Sequence, residues 1–234
     1  MGAVEEVKAA FGLKDDSFDP AVFGSELALK TQWTPLGKEA ANFCTHRLRT
    51  DPLDGVMRFV GTPGNKAPGV IIACGGLVFA VILLSGVISP LREQLRSLPV
   101  LYLAIALLVV ADAAFGIWIY RKMNPYIIFD PRCGAFYRST VDPRKIFELA
   151  TLPSFTPFKN IGALQLLKKR MQGRESGGIT AYELNLVRRD GERVAVVCHG
   201  NYRSLAEDAV ILSQMLKIPL WDVEILPQTS LRKE

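Results

Sequence analysis

The side chains best suited to nucleophilic or metal chemistry are two histidines and four cysteines. Cys198 and His199 are adjacent, and Cys44 lies two positions before His46. An imidazole can activate a thiol, and both groups bind zinc. Neighbours in a strand point to opposite faces, so Cys198 and His199 are poorly placed to hydrogen-bond each other. Cys44 and His46 share a face but lack further ligands, so we predict no catalytic site, no metal site and no cofactor.

Asp112 is the only charged residue in the apolar stretches of the chain. A carboxyl inside a membrane is costly, which makes it a candidate for proton or ion transport. A relay needs more than one such group, and no second acid, histidine or lysine accompanies this one. We therefore expect a neutral or hydrogen-bonded side chain with a structural role, and coupling to transport is the alternative.

The densest basic cluster consists of Lys168, Lys169 and Arg170, with Arg174 beyond them. It belongs to a basic segment, because residues 121–234 carry 18 basic and 12 acidic residues. Such a segment is attracted to anionic headgroups by about 1 kcal/mol per basic residue near the surface. A solvated loop and an anionic-lipid contact are both consistent with the cluster. No recognition motif for nucleic acid is present, so we expect no nucleic-acid partner.

Two long apolar segments predict a transmembrane helical hairpin within residues 67–122, with spans at about 69–89 and 98–120. At about 1.5 Å per residue, each crosses the roughly 30 Å of hydrocarbon. Trp118 and Tyr120, followed by basic residues, are typical of a membrane interface. Small residues allow close helix approach, and we expect those of the first span to pack mainly against the second. They are Gly69, Ala73, Gly76 and Ala80.

The basic residues outside the spans outnumber the two arginines of the loop between them, at 90–97. By the positive-inside rule, both termini are then cytoplasmic. The cysteines form no CxxC pair, and free thiols fit a reducing compartment. We expect an integral membrane protein whose soluble parts lie in the cytoplasm.

Residues 123–226 predict antiparallel strands followed by one amphipathic helix. Strands are expected at 126–130, 134–140, 158–168, 181–188 and 193–198, with a type I′ turn at Asp190-Gly191. Ser204 and Glu207 predict a capping box for the helix, and Leu205, Ala209, Leu212 and Leu216 form its apolar stripe.

This order is that of a pleckstrin-homology-like (PH-like) barrel or sandwich, which has seven strands. A hairpin at 42–49 and 55–61, within segment 41–66, would supply the missing two, since five strands alone leave an open sheet edge. The predicted protein is thus an α+β membrane protein with a weakly ordered N-terminal arm at 1–40, able to bind a partner, and a tail at 227–234.

The segments YIIFDPRCGAFYR, ELNLVRRDGERV and IPLWD, together with WTPLGKEAANFCTHRL, resemble uncharacterised bacterial proteins that combine two transmembrane helices with a PH-like cytoplasmic domain. The resemblance covers about residues 33–222 and implies the inner membrane of a bacterium, but it implies no activity. A more distant similarity, in architecture alone, is to the photosystem I assembly factor.

These observations favour a non-enzymatic, membrane-anchored module for interaction or assembly, whose partners are the bilayer and a protein or larger membrane complex. An accessory subunit of a transporter that uses Asp112 is the alternative. An enzyme with a site divided among loops is a third possibility.

Overall fold

The computed structural model describes residues 19–37, 41–84, 99–171 and 178–225. The chain is a mixed α+β protein with two compact units, one drawn from Met1–Val60 and Tyr126–Glu234 and the other formed by Gly61–Pro125. The described helices are α1 (Glu26–Lys30), α2 (Pro63–Leu84), α3 (Pro99–Met123) and α4 (Tyr202–Leu216). The described strands are β1 (His46–Thr50), β2 (Met57–Gly61), β3 (Tyr126–Asp130), β4 (Ala135–Ser139), β5 (Thr156–Pro157), β6 (Ile161–Met171), β7 (Ile179–Arg188), β8 (Arg193–His199) and β9 (Leu220–Asp222).

The first sheet has the order β1-β2-β3-β4-β5. β2 pairs antiparallel with β3, placing Met57 opposite Phe129. A turn closed by the Gly55 amide on the Asp51 carbonyl joins β1 to β2, and Gly55 has a φ of 68°, which glycine adopts without strain. The strand that precedes helices α2 and α3 is thus hydrogen-bonded to the strand that follows them.

The second sheet has the order β8-β7-β6-β9. β6, β7 and β8 are antiparallel, whereas β9 pairs parallel to β6. The turn between β7 and β8 is not of the predicted type I′, which requires positive φ at both central residues. Gly191 has a φ of 92°, but Asp190 does not have positive φ. The Gly191 amide instead bonds the Arg188 carbonyl, which gives a longer turn.

The two sheets and α4 share one hydrophobic core. Phe59, Ile127 and Phe136 of the first sheet are buried with Leu164 and Leu184 of the second. The stripe of α4 faces this core as predicted, with Leu205, Ala209 and Leu212 fully buried and Leu216 packed against them.

The predicted capping box of α4 is wrong. The helix begins earlier, and Asn201 caps it by accepting a hydrogen bond from the Ser204 amide at 3.0 Å. Ser204 is consequently a buried residue of the first turn. Glu207 does not reach back to a cap but pairs with exposed Arg203 at 3.1 Å.

The described strands do not form a closed barrel. The short β5 pairs with β4 at the edge of the first sheet, and β9 pairs with the side of β6 that does not contact β7. The hydrogen-bonded ladder therefore does not pass from the first sheet to the second. Strand β9 was not predicted from the sequence, because its three residues are too few to show a periodic pattern.

Helix α3 contains a segment, Leu103–Met123, whose 21 residues are long and apolar enough to cross a membrane. Helix α2 begins at Pro63, nearly two turns before the predicted span at 69, because the Thr62 carbonyl already accepts from the Asn65 and Lys66 amides. The end of the predicted first span and the loop at 90–97 lie outside the described residues.

The N-terminal segment 19–37 packs against the outer face of the second sheet. Ala28 is buried with Ala163, Val187 and Trp221. The rings of Phe23 and Trp33 stack with centroids 5.2 Å apart, and both rings adjoin Trp221. This part of the chain differs from the weakly ordered arm predicted for residues 1–40, because its aromatic residues cover an otherwise open sheet face.

Candidate functional site

Helices α2 and α3 cross closely where each contributes small residues. A Cβ atom built on Gly69 would lie 2.7 Å from Tyr120 Cα, and one on Gly116 would lie 2.6 Å from Ala73 Cα. A Cβ on Gly76 would lie 2.8 Å from the Asp112 carboxylate. Higher residue numbers on α2 meet lower residue numbers on α3, so the two helices run antiparallel. Gly69, Ala73 and Gly76 therefore lie on the face that contacts α3, and Ala80 lies farther along α2.

Asp112 belongs to this crossing. Its Oδ2 accepts a hydrogen bond from the Gly76 backbone amide at 2.9 Å. The partner is thus the backbone of the neighbouring helix, which approaches because residue 76 has no side chain. This geometry gives the carboxyl a role in holding two helices together.

Two asparagines join the helices at the end where the chain enters α2 and leaves α3. Asn65 is buried and donates to the Met123 carbonyl at 2.8 Å and to Asn124 Oδ1 at 3.1 Å. Asn124 in turn donates to the Tyr120 carbonyl at 2.9 Å. The Met123 carbonyl, at the last residue of α3, thereby gains a partner that the helix itself does not supply, and the Tyr120 carbonyl accepts the Asn124 side chain in addition to the Asn124 backbone amide. Sequence analysis missed this pair, although each asparagine directly flanks an apolar segment.

The basic cluster is divided between the two faces of β6. Lys168 and Arg170 are exposed, and Lys168 pairs with Glu224 at 3.0 Å. Lys169 points to the other face, is buried, and donates to the Gly37 carbonyl. Arg174 lies outside the described residues. The described members thus do not form one basic surface, because β6 extends to Met171 and alternates through the cluster.

Both histidines are buried in the unit that contains the sheets. His199 Nδ1 accepts a hydrogen bond from the Asn201 amide at 3.2 Å, and burial, aided by the nearby His46 and Arg47, lowers the pKa of His199 to about 4. His199 is therefore neutral at physiological pH.

The two candidate cysteines contact backbone and hydroxyl groups. The Cys44 thiol donates to the His46 carbonyl at 3.2 Å, and the Cys198 carbonyl accepts from Thr45 Oγ1 at 3.2 Å. Neither described contact pairs a thiol with an imidazole. Among the described residues no group of three His, Cys, Asp or Glu side chains is arranged to hold a metal ion.

A row of buried and half-buried polar side chains on the second sheet holds the N-terminal segment in place. The Glu183 carboxylate is 1% exposed and accepts from the Leu36 and Gly37 amides at 2.7 and 2.8 Å. Arg193 donates to the Thr34 carbonyl at 2.7 Å, and Gln165 donates to the Gln32 carbonyl at 3.0 Å. Buried charge is tolerated because it is hydrogen-bonded to this backbone.

Nothing in the sequence of β7 distinguishes Glu183 and Asn185 from the solvent-exposed residues of an ordinary half-buried strand. The signal that was available is the aromatic content of segment 19–37, which is unusual for a disordered arm.

A cleft of about 360 Å³ lies beside the turn that joins β7 and β8. Arg188 donates to Thr156 Oγ1 at 3.1 Å, and Arg189 donates to the Lys159 carbonyl at 2.9 Å. Its lining residues are Phe155, Thr156, Pro157, Asn160, Arg188, Arg189 and Asp190. The lining includes two guanidinium groups and one carboxylate, which give the cleft a net positive charge.

No protein-family model, no curated protein and no solved structure matches the chain.

Proposed function

We propose that this chain is a non-enzymatic, membrane-anchored interaction module. Helices α2 and α3 cross the bilayer as a hairpin, and the unit with the sheets is a PH-like domain that binds a protein partner or joins a larger membrane complex. The observation that carries the proposal is the pairing of β2 with β3 on either side of an apolar helix pair.

Strand pairing supports an even number of membrane crossings between β2 and β3. Hydrogen-bonded strands lie on the same side of a bilayer, so the chain between Gly61 and Tyr126 crosses an even number of times. The segment Leu103–Met123 supplies one crossing by its length and composition. Helix α2 supplies the other, since it is the other described helix in this interval.

The surfaces of the helix pair support insertion into lipid. Leu103, Leu107 and Phe115 on α3 and Ile71 and Leu77 on α2 are all more than half exposed. A helix from the core of a soluble protein would bury such residues, because each buried apolar side chain contributes about 1.5–3 kcal/mol. In a bilayer the same residues face hydrocarbon.

Charge supports the sidedness of the hairpin, because the basic residues of the flanks outnumber the two arginines of the loop at 90–97. Both termini are then cytoplasmic in this proposal, and the membrane is the inner membrane of a bacterium. The transporter alternative is less well supported, because the Asp112 carboxylate is engaged by the Gly76 amide at a tight helix crossing.

Topology is tested by reporter fusions at Glu234 and within the loop at 90–97. We expect a cytoplasmic reporter to be active at Glu234 and a periplasmic reporter to be active in the loop. Fusions at the two sites serve as controls for each other, since the hairpin requires opposite results. A periplasmic reporter that is active at Glu234 contradicts the orientation, and equal results at both sites contradict the hairpin.

The interaction role is tested by extracting the tagged chain into native-lipid nanodiscs and identifying bound proteins by mass spectrometry. An unrelated protein with two transmembrane helices, expressed at the same level, is the control. We expect a second protein in fixed ratio that is absent from the control. A chain that purifies alone, or only with copies of itself, contradicts this part of the proposal.

A further inference from the structure

Phe147 is a solvent-exposed aromatic side chain. It lies in the loop between β4 and β5, residues 140–155 (the 140–155 loop), and is fully exposed among the described residues. Val141 in the same loop is 52% exposed. Aromatic side chains are enriched at contact surfaces relative to the rest of a protein's surface.

The 140–155 loop is ordered by contacts on its inner side. Leu149, Leu152 and Phe155 pack against a buried cluster that contains Ile128 and Tyr137. Ser154 Oγ accepts from the Arg138 amide at 2.7 Å and donates to the Arg138 carbonyl at 2.9 Å. Three apolar side chains of the loop thus turn inward while Phe147 turns outward. The exposure of Phe147 therefore results from the contacts that hold the rest of the loop against the sheet.

Strand register places the start of this loop at a particular end of the first sheet. Ser139, the last residue of β4, pairs with Tyr126, the first residue of β3. Tyr126 directly follows Pro125, where the chain leaves the helical segment. On the neighbouring strand, Phe59 pairs with Ile127, so β2 also reaches this end just before the chain enters α2. The 140–155 loop therefore begins at the sheet end from which both covalent connections to the helices depart.

The polar residues around Phe147 fit a membrane interface. Lys145 and Arg144 are exposed, as is Arg138 in β4, and the exposed Glu148 is the acidic neighbour of Phe147. Arg144 Nη2 donates to Asp142 Oδ2 at 2.7 Å and Nε donates to Asp142 Oδ1 at 3.1 Å, so the donors of Nη1 are the ones that can reach a further acceptor. Tyr126 at the same sheet end is 42% exposed. Aromatic side chains accompanied by Lys and Arg are the groups that settle at the headgroup level of a bilayer.

We propose that the 140–155 loop is a second membrane contact, in which Phe147 enters the headgroup region of the bilayer that holds α2 and α3. Arg144 and Lys145 bind anionic headgroups beside it. The inference rests on the proposed anchoring of the helices and adds a surface of the sheet unit that meets lipid. Its effect is to fix the orientation of that unit against the membrane.

The chain offers a matched control at the opposite end of the same sheet. Leu53 lies in the turn between β1 and β2 and is 95% exposed. That turn lies beside the turn between β3 and β4, where Asp54 pairs with Arg132 at 3.1 Å. A five-residue strand spans about 17 Å, so Leu53 lies at least that far from the start of the 140–155 loop.

The test places the photoreactive residue p-benzoylphenylalanine at position 147, 53 or 107 of the full-length chain. Each chain is reconstituted into vesicles of phosphatidylcholine with or without phosphatidylglycerol, illuminated, and analysed by mass spectrometry for lipid adducts. Position 107 reports whether α3 is in the bilayer, because Leu107 is an exposed residue of that helix. Replacing Phe147 by another aromatic residue at an exposed position leaves the fold intact.

We expect several-fold more lipid adduct at position 147 than at position 53, a yield approaching that at 107, and a further increase with phosphatidylglycerol. Equal low yields at 147 and 53 with a high yield at 107 would overturn the loop contact and leave the anchoring intact. A low yield at all three positions would overturn both. A yield at 147 that does not respond to phosphatidylglycerol would overturn the role of Arg144 and Lys145.

Discussion

Replacing Gly116 by alanine tests whether the close crossing of α2 and α3 stabilises the helix pair. The added Cβ would lie 2.6 Å from Ala73 Cα and 2.7 Å from Ala73 Cβ, whereas ordinary contacts are 3.4–4 Å. Both obstacles belong to backbone or to a Cβ, so no flexible side chain can move away. The helices would have to separate by about 1 Å to restore a normal contact.

That separation has a cost that the structure allows us to estimate. Overpacking of a well-packed interface costs about 1–3 kcal/mol. The Gly76 amide and Asp112 Oδ2, now 2.9 Å apart, would lose a hydrogen bond worth on the order of 0.6 kcal/mol. Alanine is favoured over glycine in a helix by about 1 kcal/mol, which opposes the loss. The expected net loss is about 0.6–2.6 kcal/mol.

Gly75→Ala is the matched control, because a Cβ on Gly75 meets nothing within 4 Å. It gains the same helix propensity without the clash. The unfolding free energies of the two variants, measured by steric trapping in bicelles, should therefore differ by about 2–4 kcal/mol. If the two variants are equally stable, the close crossing does not hold the helices together and the argument fails.

Three further predictions concern buried polar groups. Asp112→Asn should retain an acceptor for the Gly76 amide and unfold within about 1 kcal/mol of the parent in bicelles; lost function in a chain that folds and expresses normally would instead point to proton or ion coupling. Burial lowers the pKa of His199 from 6.5 in the unfolded chain to about 4 in the folded chain. Between these values the unfolded chain binds the proton more tightly, so the folded state loses stability as the pH falls. The contribution of His199, on the order of 3 kcal/mol, should be complete above pH 6.5 and disappear towards pH 4; parallel pH profiles of unfolding free energy for His199→Gln and the parent would contradict this. Glu183→Ala should lower the free energy of unfolding by about 2–3 kcal/mol and speed hydrogen exchange in segment 32–37. Glu207→Ala, at an exposed ion pair, should change the free energy of unfolding by no more than about 1 kcal/mol and leave exchange in that segment unchanged. Unchanged exchange in Glu183→Ala would show that this carboxylate does not hold the segment.

Local periodicity predicted much of the secondary structure. Strand β3 coincides with the predicted 126–130, and the apolar stripe of α4 is buried as its spacing required. These features depend on residues near one another in sequence, where a period of 2 or 3.6 decides which side is apolar. The end of β6 was predicted less well. Lys168, Lys169 and Arg170 suggested a loop by composition, but pairing with β7 overrides that preference.

Contacts between distant segments were the ones that the sequence concealed. Val187 and Trp221 are covered by residues near Ala28, and Glu183 bonds backbone near Leu36. A strand whose second face is covered by a remote segment has the same alternation as a strand with one face in water. The crossing at Asp112 was foreseen in part, because small residues in an apolar helix indicate close approach. Which backbone amide meets the carboxyl depends on the phase of the two helices.

The pairing of β2 with β3 has a consequence for how the protein is made. Met57 and Phe129 are ladder partners. At synthesis rates of about 5–20 residues per second, Phe129 leaves the ribosome on the order of 4–14 s after Met57. During that interval the first hairpin has one edge with no strand to pair, while α2 and α3 are still being synthesised. Translation that halts within α3 would leave such an edge permanently open, so truncated chains of this length should be especially prone to aggregate.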